Sequence, residues 1–159
     1  MSSSSFSLLI DETSTTRRTV HELHTPLKKY KAGEIDFLIV RESTEGLFST
    51  RLLKHPSDAN EVTDTMRVTR QGSERLFRSA FQQAVGRRGH LTLVDKANVL
   101  PSMAFFRKVF DETARHYPAV KTDRIYVDAA SLYLVQRPET FDVLVTENMN
   151  VKLATCIAI

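Results

Sequence analysis

Residues 35–40 read IDFLIV, and the next six, 41–46, read RESTEG. The first stretch is a nearly continuous apolar run, the pattern of a strand covered on both faces. Further short runs of the same kind follow: Leu91 to Val94, Ile125 to Val127, and Phe141 to Val145. Segments with helical period lie between them. Leu76, Phe77, Ala80, Phe81, Ala84 and Val85 recur at i, i+1, i+4, i+5, i+8 and i+9, one apolar helix face, and Gly86 and Gly89 mark its end. Pro101 suits the first turn of a second helix. Its inward residues are expected to be Ala104, Phe105, Val109, Phe110 and Thr113 or Ala114, with Pro118 beyond its close. Residues 129–135 read as a short helix stopped by Pro138. This alternation predicts a layered α/β domain, a largely parallel sheet with flanking helices.

Two segments fall outside that pattern. Residues 1–24 are polar, rich in Ser and Thr and without sustained period, which predicts an irregular lead-in. Residues 43–68 carry short β-prone pieces (Leu47-Phe48, Leu52-Leu53, Met66 to Val68) around the turn cluster Pro56-Ser57-Asp58-Ala59-Asn60. They predict a protruding β arm. So little apolar content builds no core of its own, so the arm should lean on another surface, such as a partner subunit.

At 159 residues the chain suits one domain. No apolar run approaches the roughly 20 residues of a membrane span. The net charge of +3 is mildly basic. Its basic spots (Arg17-Arg18; Lys28, Lys29 and Lys31; Arg87-Arg88) are short and lack interleaved aromatic residues, so no nucleic-acid partner is expected. Arg87 and Arg88 are expected in solvent, complementing the C-terminal partial charge of the preceding helix. The single cysteine, Cys156, excludes an internal disulfide and suits a reducing compartment. The cytoplasm comes first and the mitochondrion second, because Asp11 and Glu12 interrupt a transit-like start. Five glycines and no GxGxxG exclude a glycine-rich phosphate loop.

Three clusters stand at strand ends, where α/β domains place function. Arg41, in RESTEG, can grip a carboxylate with its planar fork or form a structural salt bridge with Glu42 or Glu45. Lys96, in Asp95-Lys96-Ala97-Asn98, is either a proton-transfer group at a strand end or an exposed loop lysine. Asp128 suits a hard divalent cation or an N-cap. The His21/His24 pair, Cys156, Ser43 and Ser49 lack the partners that a metal or nucleophile site needs.

Taken in series, DFLIVRESTEG (36–46), VTRQGSERLFRSAF (68–81), VDKANVL (94–100), YVDAASLYLVQRP (126–138) and FDVLVTENM (141–149) resemble the isocitrate/isopropylmalate dehydrogenase family, in its order and approximate spacing. The resemblance covers about 125 of the 159 residues. It implies the family's central domain over residues 25–149, with its interlocking arm. It also implies oxidation and β-decarboxylation of a small malate-type 2-hydroxyacid, with NAD (or NADP) and Mg²⁺ or Mn²⁺. By family position Arg41 would bind a substrate carboxylate, Lys96 would handle the hydroxyl proton, Asn98 would lie near the nicotinamide, and Asp128 would help bind the metal. Lys96 and Asp128 would act across a homodimer interface, in the partner's site.

The departures from the family pattern shape the expectation. Phe48 stands where the family has a catalytic tyrosine and has no hydroxyl to donate. After Asn148-Met149 the family continues with a Phe-Gly-Asp-Ile-x-Ser-Asp stretch that completes the metal site. Here residues 150–159 contain no carboxylate side chain and form an atypical tail. Nor do residues 1–24 show the family's two upstream substrate-binding arginines; Arg17 and Arg18 lack that context. The expectation is a truncated dehydrogenase, inactive alone. The alternative is a non-catalytic dimerisation subunit paired with a full-length homologue.

Overall fold

The computed structural model describes residues 13–19 (backbone course only), 29–31, 34–50, 52 and 58–148. The apolar run becomes β2, Asp36–Glu42, with Phe37, Leu38, Ile39 and Val40 all buried. Then come α1 (Arg70–Val85), β3 (His90–Asp95), α2 (Pro101–Ala114), β4 (Lys121–Tyr126), α3 (Val127–Gln136) and β5 (Val143–Thr146). Strands β2, β5, β3 and β4 lie side by side and parallel, so the expected α/β architecture is present.

Strand alternation divides the interior in two. Leu38, Val40, Leu91, Leu93, Val143 and Val145 pack against α1 and α2, while Phe37, Ile39, Val94 and Leu144 pack against α3. The larger half is an aromatic cluster. Phe77 meets Phe106 at 4.6 Å and Phe110 edge-on at 5.3 Å, and Phe81 stacks on Tyr117 at 4.6 Å between ring centres.

The structure corrects several expectations. Residues 1–24 are not irregular throughout: Thr13–Thr19 form β1, antiparallel to β2 from Thr13↔Glu42 to Thr19↔Asp36. Four of those seven residues are threonine, whose branched Cβ favours extended backbone. They cover an edge of β2 whose amides and carbonyls need partners. The face of α2 is turned slightly from the expected one. Met103, Phe106, Val109, Phe110 and Thr113 are buried, whereas Ala104 is exposed and Phe105 half-buried. Residues 103–106 read MAFF, a run too apolar for hydrophobicity to fix the helical phase. Val85 is exposed at the end of α1, and Val127 opens α3 rather than closing β4.

Arg87 and Arg88 are not simply solvated. Arg87 donates from Nε to the buried Asp142 Oδ1 at 2.8 Å and from Nη2 to the Asp36 carbonyl at 3.1 Å, and Arg88 donates to the carbonyls of Asp36 and Phe141. Together they clamp the amino ends of β2 and β5. Gly89, at φ +73°, makes the turn that lets β3 begin beside them.

In the expected arm, Leu47–Thr50 form a 3-10 turn, and one antiparallel bridge pairs Gly46 with Arg67. Met66 and Val68 lean on the core. Leu53, Pro56 and Ser57 lie outside the described residues, as do His21, His24, Cys156 and both expected domain limits. Among the described residues no helix is long and apolar enough to cross a membrane.

The corrected phase of α2 has a measurable consequence. Phe106→Ala should cost about 3–5 kcal/mol, the range for deleting a buried phenyl. The adjacent Phe105→Ala should cost markedly less. Urea unfolding followed by circular dichroism checks the order, and equal losses would contradict the packing described.

Candidate active site

The candidate residues gather at the carboxyl ends of the parallel strands. Side chains alternate along a strand, so Arg41 continues the α3-facing series of Phe37 and Ile39, and Thr146 continues that of Leu144. On β3, Asp95 faces α2, and Lys96, one residue on, turns to the α3 side. There Lys96 Nζ forms an ion pair with Asp128 in the first turn of α3. Lys96 and Asp128 are therefore brought into contact. Arg41 shares their face but stands on β2, with β5 between it and β3, a separation of roughly 10 Å at ordinary strand spacing. Asn98 is exposed on the turn that leads from Lys96 into α2.

That turn is held from beneath. Asp95 is 0% exposed. Arg107 on α2 grips its carboxylate twice, Nε to Oδ2 and Nη2 to Oδ1, both at 2.7 Å, and the Ala97 amide donates to Oδ1 at 3.0 Å. These hydrogen bonds raise the Arg107 pKa above its ordinary value despite the opposing effect of burial. The Arg107 guanidinium also lies 5.1 Å from the centre of the Tyr126 ring. The Lys96 carbonyl accepts from the amides of Val99 and Leu100 at 3.1 and 3.0 Å, which closes the turn. Neither Asp95 nor Arg107 carries a signal of this role in its sequence position, apart from the place of Asp95 beside Lys96.

In RESTEG the two glutamates are structural, but not as salt-bridge partners of Arg41. Glu42, buried, accepts from the Ser43 and Thr44 amides at 3.0 and 2.9 Å and from the Thr44 hydroxyl at 2.7 Å. Its other oxygen lies 3.6 Å from Arg75 Nη2. Glu45 accepts from the amide and hydroxyl of Thr69, the N-cap of α1, at 2.9 and 2.5 Å. Among the described residues Arg41 forms no ion pair with either. A Cβ on Gly46, whose φ is +72°, would sit 2.7 Å from Glu147 Oε2, so that turn requires glycine. Phe48 is 37% exposed on the 3-10 turn that follows.

Two concave regions lie away from these residues. One, of about 230 Å³, sits between α1 and α2 and includes Glu74, Arg78 and His116. The other, of about 420 Å³, lies toward the amino ends of β3 and β4, beside the His90–Asp123 pair at 2.6 Å. The candidate residues line neither.

The profile of the isocitrate/isopropylmalate dehydrogenases matches residues 15–152. The chain belongs to that family. It is 44% identical over 127 residues to a 3-isopropylmalate dehydrogenase of Priestia megaterium, covering 79% of this chain and 34% of that protein. With a 3-isopropylmalate dehydrogenase of Corynebacterium efficiens it shares 43% over 130 residues, covering 80% and 38%. Among solved structures, isocitrate dehydrogenase from Methylococcus capsulatus superimposes with a TM-score of 0.77 at 33% identity, covering 90% of this chain and 42% of that one. The chain thus spans a little over a third of the length of these curated relatives.

A divalent cation of the Mg²⁺ type takes about six oxygen ligands. Among the described residues no cluster of three or more His, Cys, Asp or Glu side chains is placed to hold one, and Asp128 is already engaged by Lys96. The described residues do not form a metal centre by themselves.

Burial separates the two acid–base pairs of this site. Arg107→Met leaves the Asp95 charge buried without its partner and should cost about 3–5 kcal/mol. Asp128→Asn removes an exposed charge and should leave the unfolding midpoint nearly unchanged. Chemical denaturation of both variants measures the contrast, and a tolerant Arg107→Met would show that Asp95 is not held as described.

Proposed function

We propose that this chain supplies the central, dimer-forming part of a β-decarboxylating 2-hydroxyacid dehydrogenase. The reaction oxidises a malate-type substrate, with NAD or NADP accepting the hydride, and releases the β-carboxyl as carbon dioxide. The observation that carries this reading is the contact of Lys96 with Asp128 on the same rim and face as Arg41. Arg41 presents its guanidinium fork to a substrate carboxylate. Lys96 Nζ handles the hydroxyl proton, and Asp128 fixes where that nitrogen stands. Asn98, exposed on the same turn, faces the nicotinamide. Mg²⁺ or Mn²⁺ would stabilise charge on the substrate oxygen; Asp128 is the ligand this rim offers it, and further ligands come from other residues.

A dimer fits the surface around this pair. Asp128, Leu132 and Val135 fall at i, i+4 and i+7, one face of α3, and both apolar residues are exposed. Val99, beside Asn98, and Tyr126 are exposed as well. A second copy, or a full-length homologue, seated there would receive Lys96 and Asp128 into its own site while Arg41 serves the first. The same exposed face favours the second reading, a non-catalytic subunit that lends these residues to a full-length partner.

Incubated alone with NAD, Mg²⁺ and a panel of 2-hydroxyacids that includes 3-isopropylmalate, the pure chain should give no NADH above background. Robust turnover would defeat the claim of inactivity. In a mixed dimer with a full-length 3-isopropylmalate dehydrogenase, Lys96→Ala in this chain should lower the mixed-dimer kcat by about 10²-fold or more. Failure to form mixed dimers would remove the second reading.

A further inference from the structure

We propose that Thr146 is a positioning residue for Arg41, its hydroxyl accepting the Arg41 Nε–H. The two residues are direct register partners on adjacent parallel strands, Arg41 near the end of β2 and Thr146 at the end of β5. Both continue the α3-facing series of their strands. Thr146 is 2% exposed. Its Oγ1 and the Nε of Arg41 are both shielded from solvent, and neither has a hydrogen-bond partner among the described residues.

Their chemistry is complementary. An arginine Nε–H only donates, and a threonine hydroxyl accepts as well as donates. Buried polar groups are nearly always paired, because leaving one unpaired loses the hydrogen bonds water would supply. Arg41 Nε is an unpartnered donor and Thr146 Oγ1 an unpartnered acceptor at the adjacent register position on the same face, and the two therefore point to each other. Glu45 is taken by Thr69, and Glu42, one residue on from Arg41, lies on the opposite, α1-facing side of β2, where one oxygen is held by Ser43 and Thr44 and the other stands 3.6 Å from Arg75 Nη2. Glu147 follows on the opposite face, against Gly46.

The bond has a directional effect. A guanidinium can receive a carboxylate along its Nε edge or end-on between its two Nη groups. With Nε–H committed to Thr146, the end-on fork remains for the ligand. Thr146 thus selects the approach by which Arg41 meets a carboxylate. Only this last step rests on the proposed dehydrogenase reading; the contact itself does not.

The test uses the full chain labelled with ¹⁵N-arginine, the Arg41 Nε–H resonance being assigned by its loss in Arg41→Lys. Hydrogen exchange at this proton should be at least about tenfold slower in wild type and Thr146→Ser than in the isosteric Thr146→Val, without added ligand. Thr146→Ala takes the place of Val if the latter fails to fold. Equal exchange in all folded variants overturns the proposal, as does a higher melting temperature for Thr146→Val, the result expected if the hydroxyl is unpaired. A D-malate titration of the same samples is the separate arm. Binding weakened in Thr146→Val and kept in Thr146→Ser supports the directional effect. Absence of binding in every sample with the exchange pattern intact counts against the dehydrogenase reading and leaves the Arg41–Thr146 contact standing.

Discussion

A carboxylate with no access to water organises the rim of this sheet. Asp95 ends β3 fully buried, and the desolvation of such a charge costs several kcal/mol unless it is paired and fully hydrogen-bonded. Arg107 and the Ala97 amide meet that demand. In doing so they fix two things: the first turns of α2 against β3, and the path of the chain as it leaves the strand. Lys96 follows immediately, so its direction comes from the alternation of the strand and the closed turn beyond it. Its meeting with Asp128 is then a consequence of how α2 and α3 cover opposite faces of one sheet.

The other acidic residues of the strand-end motifs show the same logic at different places. Glu42 gathers the amides of its own loop, and Glu45 caps α1 through Thr69. At the amino ends of the strands, Asp142 draws Arg87 into a clamp on β2 and β5. These carboxylates are buried or enclosed and hold elements together, Glu42 by hydrogen bonds through one oxygen and by the 3.6 Å approach of Arg75 to the other. Asp128 differs in being largely exposed, 70% by its side chain. Charged residues are dense in these motifs because loops between parallel strands must satisfy many amides in little water, and that density is not a count of reactive groups.

Much of this was legible from the sequence where burial is two-sided or the period is long. The apolar run at 35–40 and the repeat of Leu76, Phe77, Ala80, Phe81, Ala84 and Val85 each admit one reading, and the structure agrees with it except at Val85, which is exposed. What escaped was decided by tertiary context. Thr13–Thr19 is polar throughout and becomes a strand only because β2 has an open edge beside it. The four apolar residues at 103–106 leave the phase of α2 to the shape of the aromatic cluster it meets. The bidentate Asp95–Arg107 pair joins residues 12 apart on different elements, and no local pattern announces it. Lys96 and Asp128 could be named from their motifs, but their contact could not, since it depends on the crossing of β3 and α3.

The placement of that contact also bears on how it can be useful. An ion pair in water contributes little, because solvent screens it and two flexible side chains must be held in one geometry. Inside a dry enclosure the same charges act far more strongly on a nearby substrate. Lys96 and Asp128 sit on the exposed side of the sheet rim, and Leu132 and Val135, which share the Asp128 face of α3, are exposed apolar residues. A surface that covered Leu132 and Val135 would exclude water from the pair in the same act. Association and chemistry would then use one face, and burial of side chains with no chemistry of their own would govern the strength of the two that have it.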